Sequence, residues 1–254
     1  SGLKDLSITR TGFDWGVKIP PELNDPKHVI YVWLDALMDY LSSLGFCAGG
    51  ERMEYWSDAL HIVGKDILRF HAVFWPAFLM SLGLNMPRSI AAHGWWTRDG
   101  KKMSKSLGNV IDPLVSIEEY SADILRFTLA LLAVQGRDIK LSDEKMKLVR
   151  NFTNKLYNAS KYLLLNESKF ANLSDVKIET KLGKYMLSRF NECVREVREN
   201  IDAYRFNDAA NAIYKFLWDE FCDWGIELSK ADKASVKELG SIFKEAMKLL
   251  NPFM

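Results

Sequence analysis

Cysteine, histidine and net charge are all scarce in this chain. Its 254 residues include three cysteines and four histidines. Cys47, Cys193 and Cys222 are odd in number and far apart. They suggest neither a disulfide framework nor a zinc site, and they fit a reducing compartment. The histidines show no metal-ligand spacing, so no metal site is expected. A formal net charge of +1 excludes bulk attraction to nucleic acid and leaves any RNA contact to local patches. No secretory leader, internal repeat or low-complexity tract is recognised. The densest apolar stretch, around Ile67 to Leu84, has Lys65, Arg69 and His71 near its start and is broken by Pro76. It reads as a core helix rather than a membrane span. A cytoplasmic protein without membrane contact is expected.

Hydrophobic residues make up 48% of the chain, ample for a packed core in one large or two small domains. The front of the chain alternates. Val29 to Val32 reads as a short buried strand leading into a helix from Trp33 to Leu44, stopped by Gly45. Residues 60 to 63 form a second apolar run ended by Gly64, and Asp66 opens a helix to about Ser81. Ser89 to Ala92 is a third strand. Strand, helix, strand implies a parallel α/β sheet with ligands at the carboxyl ends of the strands.

After about residue 112 the pattern becomes helical. Ser121 caps a helix through Val134, and Ser142 to Leu165 carries Val149, Phe152, Leu156, Ala159 and Leu163 on one face. A third helix carries Leu182, Met186, Phe190, Cys193, Val197 and Ile201. A fourth carries Ala209, Ile213, Phe216, Phe221, Trp224 and Leu228. Ser235 and Glu238 form a capping-box pattern opening a fifth helix toward Leu250. These stripes at three- and four-residue spacing predict a helix bundle, with residues 166 to 180 as the one extended polar linker.

The chemistry concentrates at residues 101 to 106, Lys-Lys-Met-Ser-Lys-Ser, between Gly100 and Gly108. Lys102 and Lys105 sit on a short loop that glycines leave free to move, and an ammonium suits phosphate oxygens as a point charge. A solvated lysine-rich turn would look the same. The segment matches the KMSKS signature of class I aminoacyl-tRNA synthetases. That resemblance implies a loop closing over ATP, with Lys102 and Lys105 catalytic and Met103 and Ser104 beside the nucleotide.

The flanking sequence resembles the methionyl-tRNA synthetases. The matching segments are DLSITRTGFDWGVKIP (5 to 20), HVIYVWLDALMDYL (28 to 41), HIVGKDILRFHAVFWPAFL (61 to 79) and AAHGWWTRDGKKMSKS (91 to 106). The resemblance places Trp33, Ala36, Tyr40, Ile67, His71 and Trp75 on the methionine-pocket positions. Leu37 stands where some members carry proline. Trp33 and Tyr40, like Ile67, His71 and Trp75, lie at helical spacing, which also fits ordinary core. Two such faces turned together make an aromatic wall suited to a polarisable thioether. Gly64 and Asp66 are implied to contact the ATP ribose, and Gly94, Trp95 and Trp96 to lie beside the adenine. Magnesium would accompany ATP as part of the substrate complex. The second ATP signature of the class, HIGH, is not found before residue 61. The chain is therefore expected to begin inside the enzyme and to be close to inactive alone, since catalysis needs preorganised charge from both signatures.

The rear resembles another branch. LAVQGRDIKLS (132 to 142), RNFTNKLYNASKYLL (150 to 164), RFNDAANAIYKFLWDEFCDWGIELSK (205 to 230) and KEAMKLLNPFM (244 to 254) are similar to the valyl-tRNA synthetases, in their stem-contact segment and helical anticodon-binding domain. The two resemblances meet between Met103 and about Pro113. A joining of two genes at their shared motif, a deliberate chimera and a divergent natural enzyme all remain open.

The expected architecture is α/β: the second half of a Rossmann-type class I catalytic domain followed by an all-α anticodon-binding bundle. Residues 1–112 would form the partial catalytic domain, 113–141 the stem-contact connection and 142–254 the bundle, ending mid-domain. The expected activity is ATP-dependent activation of methionine and its transfer to tRNA. The alternatives are a valine-tRNA ligase fragment, or a non-catalytic tRNA-binding helical module with an incomplete catalytic passenger.

Overall fold

The computed structural model describes residues 2–98, 101–104, 106, 108–166 and 170–254. Lys105 therefore lies outside the described residues. The chain divides into two compact units, Ser1–Ala92 and His93–Met254.

The first unit is a small α/β body. Strands β1 (Thr9–Arg10) and β2 (Val29–Ile30) pair antiparallel. The chain then enters α1 (Val32–Ser42), whose Leu37 and Leu41 are fully buried. Strand β3 (Leu60–Gly64) pairs with β4 (Ser89–His93). Between them the helix starts later than the sequence suggests. Lys65, Asp66 and Ile67 form a turn before it. A π-helical segment, Phe70–Phe74, then leads into α2 (Trp75–Ser81), with Pro76 in the first turn of α2. A proline has no N–H for the ladder and crowds the preceding turn; the widened π turn accommodates both defects without ending the helix. Leu37, Leu41, Trp56, Trp75 and Leu79 form the core of this unit.

The second unit opens with β5 (Trp96–Arg98) and β6 (Lys101–Lys102), an antiparallel pair. Helix α3 (Pro113–Tyr120), which the periodicity missed, and α4 (Ala122–Leu132) follow. Ser121 caps α4 as expected, its Oγ accepting from the Ile124 N–H. Strand β7 (Ile139–Lys140) returns to run parallel to β5.

From there the chain is helical: α5 (Asp143–Asn166), α6 (Lys181–Asp202), α7 (Phe206–Lys215), a π-helical segment Phe216–Ile226, α8 (Glu227–Ser229) and α9 (Val236–Leu250). The predicted stripe Val149, Phe152, Leu156, Ala159 and Leu163 is buried along its length. Each of the valine, leucine and phenylalanine side chains among them contributes about 1.5–3 kcal/mol when removed from water. Cys193 and Cys222 belong to this core, and burial pushes their thiols up to about 12 and about 11. They remain protonated packing groups.

Two details of the bundle depart from expectation. The segment before α6 is anchored, because Phe170 packs against Phe243 with ring centroids 6.1 Å apart. The capping box at Ser235 does not form. Ser235 donates to the Asp232 carbonyl, while the buried Glu238 reaches α6 and accepts from the Glu179 and Thr180 N–H groups at 2.7 and 3.1 Å. A carboxylate at a helix N-terminus satisfies orphan donors and opposes the dipole favourably, so Glu238 caps a neighbouring helix instead of its own.

Candidate functional site

The pocket residues expected from the first unit come together as one aromatic face. Trp33 and Tyr40 project from α1, and His71 and Trp75 from the π segment and α2. Trp33 lies edge-on to His71 at 6.0 Å, and Tyr40 is 5.7 Å from His71 and 6.2 Å from Trp75. Trp75 is fully buried and forms the floor, whereas Ala36 and Tyr40 are exposed on the open side. Ile67 is half-buried in the turn below them. Leu37 is core.

A polar axis crosses this face. Nδ1 of His71 meets the Ile67 carbonyl at 3.0 Å, and Nε2 meets the Tyr40 hydroxyl at 2.9 Å. A carbonyl only accepts, so Nδ1 carries a proton, and Nε2 pairs with the Tyr40 hydroxyl. Burial, with Asp39 second, raises the Tyr40 pKa and keeps the phenol protonated.

Three further rings join the face that the pocket pattern did not include. Phe70 stacks on Trp33 at 4.1 Å and 7°. His61 packs on Tyr40 at 4.4 Å and accepts from the Trp75 indole at 3.2 Å. Trp56 stands edge-on to Trp75 at 5.8 Å. The alternation of β3, with His61 and Val63 buried and Ile62 exposed, is the signal that points His61 inward. Gly64 ends β3 and is half-buried, and Asp66 is exposed in the turn beyond it.

The signature loop belongs to the second unit. Lys101 and Lys102 are exposed on β6, and the Lys102 ammonium lies 4.7 Å from the Trp95 ring. The Met103 N–H donates to the Trp96 carbonyl at 3.0 Å. Asn109 braces the turn, accepting from the Ser104 N–H at 2.9 Å and donating to the Lys102 carbonyl at 3.2 Å. Gly94 is buried, and a Cβ there would lie 1.8 Å from the Arg137 carbonyl oxygen. Its lack of a side chain is thus required by the chain at Arg137 and Asp138, just before β7. Trp95 is bound into the same junction, its N–H donating to Asp138 and its carbonyl accepting from the Ile139 N–H. Trp96 is half-buried, 6.4 Å from His93.

On the bundle, Lys155 bonds Asp223 at 2.6 Å and sits 3.8 Å from the Trp218 ring centroid, while Tyr157 and Trp224 are exposed. Among the described residues no cluster of three or more His, Cys, Asp or Glu side chains is arranged to hold a metal. No described helix is long and apolar enough to cross a membrane.

Comparison with known proteins adds family context. The profile described as tRNA synthetases class I (M) matches residues 1–165, and the anticodon-binding domain of tRNA ligase matches residues 183–254. The valine–tRNA ligase of Campylobacter jejuni (strain RM1221) is 60% identical over 207 residues, 79% of this chain and 23% of the relative. That of a Nitratiruptor species is 48% identical over 270 residues, 96% of this chain and 30% of the relative. The methionine–tRNA ligase of Campylobacter jejuni subsp. jejuni serotype O:2 is 55% identical over 146 residues, 58% of this chain and 23% of the relative. The structure of Mycobacterium tuberculosis methionyl-tRNA synthetase with methionyl-adenylate superposes with a TM-score of 0.81 at 34% identity, covering all of this chain and 53% of that one. Both branches therefore match, and the valyl likeness reaches well into the front half. The chain spans about a quarter of the length of the curated relatives.

Proposed function

The chain belongs to the class I tRNA synthetases, and we propose that it serves an aminoacyl-tRNA ligase that activates methionine with ATP and transfers it to tRNA. The observation that carries this reading is the aromatic face crossed by the Tyr40–His71 hydrogen bond. Trp33, Ala36, Tyr40, Ile67, His71 and Trp75 would surround the amino-acid side chain. A thioether is long and polarisable, and each sulfur–aromatic contact is worth roughly 0.3–1.5 kcal/mol. The superposition on a methionyl-adenylate complex supports the same choice.

Residues 1–112 would act as the partial catalytic domain, 113–141 as the stem contact and 142–254 as the anticodon-binding bundle. Gly64 and Asp66 would hold the ATP ribose, with Gly94, Trp95, Trp96, Met103 and Ser104 beside the nucleotide. Lys102 and Lys105 would meet the phosphate oxygens of ATP, which would arrive as its magnesium complex. The leaving pyrophosphate gathers charge, and fixed cations stabilise that charge most in the transition state. Exposed Tyr157 and Trp224 offer stacking surfaces for single-stranded bases.

A second reading, valine-tRNA ligase, is favoured by the 60% identity to a valine enzyme. Aminoacylation tests the two. The chain is joined to the amino-terminal part of a methionine-ligase relative and supplied with ATP, either amino acid, and purified methionine or valine tRNA. Methionine attached to tRNA supports the proposal; valine attached with methionine ignored overturns it.

A further inference from the structure

At the centre of the aromatic face lies a ring that the pocket residues leave out. His61 is 6% exposed. Its centroid is 4.4 Å from Tyr40, 5.6 Å from His71 and 5.9 Å from Trp56. The Trp75 indole N–H points to its Nε2 at 3.2 Å. We infer that His61 is a positioning residue, whose unprotonated Nε2 holds the Trp75 indole while its ring backs Tyr40, so that the wall facing the substrate side chain keeps one shape. The inference deepens the methionine-pocket reading and rests on it for the identity of that substrate.

The argument is one of donors and acceptors. An indole N–H only donates, so Nε2 must present its lone pair, and the neutral imidazole then carries its proton on Nδ1. His71 likewise carries a proton on Nδ1 for an independent reason, its bond to the Ile67 carbonyl. The two imidazoles thus engage one indole and one phenol through Nε2, fixing both rings of the wall. Tyr40 from α1 and His71 from the π segment are the titratable side chains in ring contact with His61. Burial first, and His71 second, hold the His61 pKa below its ordinary value, which keeps that acceptor available. Trp75 is fully buried, so without His61 its N–H would lose its partner where water cannot replace it.

The test uses the full 254-residue chain and nitrogen-detected NMR of its histidine and indole groups near neutral pH. The account predicts Nε2 of His61 as an unprotonated acceptor. It also predicts that the Trp75 indole proton exchanges roughly threefold to tenfold faster in His61→Phe, the range expected for losing one such bond. His61→Gln, which keeps an acceptor, should restore slow exchange. A protonated Nε2 in the unaltered chain, or identical Trp75 exchange in His61→Phe, overturns the inference. Should His61→Phe fail to fold, the tautomer of the unaltered chain and the His61→Gln exchange rate decide. Adding L-methionine, with L-valine as control, separates the two levels of the claim. If the tautomer is as predicted but neither amino acid shifts the Trp75 or Tyr40 signals, His61 still positions the wall and the substrate reading fails.

Discussion

Tyr40 and His71 meet at 2.9 Å between hydroxyl and Nε2, joining two helical segments across the open aromatic face. The bond fixes the phenol ring of a residue that is otherwise exposed on α1. Tyr40→Phe keeps the ring and removes the hydroxyl, leaving Nε2 of His71 without that partner. A hydrogen bond of this kind contributes about 0.5–1.5 kcal/mol. In the completed enzyme the methionine KM should rise roughly threefold to tenfold, with a smaller change in kcat. Steady-state pyrophosphate exchange reads both constants.

Acid should loosen the same face through His61. Its folded pKa is lowered, chiefly by burial, so the unfolded chain binds the proton more readily than the folded one. The resulting stability is fully present above the unfolded value, about 6.5, and is lost as the pH falls through the lower folded value. Thermal melts of the unaltered chain should therefore decline with acidification over that window more steeply than melts of His61→Gln. Parallel pH profiles for the two would remove His61 as the source.

Glu238 should be worth more to the bundle than a surface carboxylate. It accepts from two backbone N–H groups and from the Thr180 hydroxyl. Hydrogen bonds to charged groups contribute about 1.5–3 kcal/mol, so Glu238→Ala should lower stability by about that much or more in chemical denaturation. Gly183→Ala tests the same junction from the other side, since its Cβ would lie 1.8 Å from the Glu238 Oε2. Both variants should unfold at lower denaturant than the parent chain.

How much of this was legible before folding depends on the range of each interaction. The α5 stripe was readable because its period is local, and Phe152 and Leu163 are buried where the spacing put them. Ser235 and Glu238 misled because a local pattern cannot show that the α6 N-terminus competes for the same carboxylate. Helix α3 was hidden because its exposed Leu114, Val115 and Ile117 break the amphipathic pattern. The late helical start after Gly64 and the π segment at Phe70–Phe74 depend on how Pro76 is accommodated in the folded turn. Trp33, Tyr40, His71 and Trp75 could be named from family resemblance. The acceptor role of His61 toward Trp75 required the fold, since those residues lie on different elements. Family resemblance puts Gly94 beside the adenine, and the structure supplies a separate reason for a glycine there in the Arg137 carbonyl.

The loop lysines call for a kinetic test. Lys105→Ala in the completed enzyme should slow adenylate formation by roughly 10²–10³, the usual cost of removing one preorganised contact to developing charge. Methionine affinity should change little, because such a contact acts mainly in the transition state. Rapid-quench adenylate formation with separate methionine titration distinguishes the two effects.

The central claim is that the aromatic face reads methionine. ATP–pyrophosphate exchange by the completed enzyme, with methionine and valine compared at equal concentration and without tRNA, tests it most directly because the bundle's tRNA preference does not enter. Each methylene missing from a complementary pocket is worth roughly 1–3 kcal/mol of discrimination. The account predicts exchange with methionine at least about tenfold faster than with valine. Faster exchange with valine would contradict it and assign the front half, with the rear, to the valine enzymes.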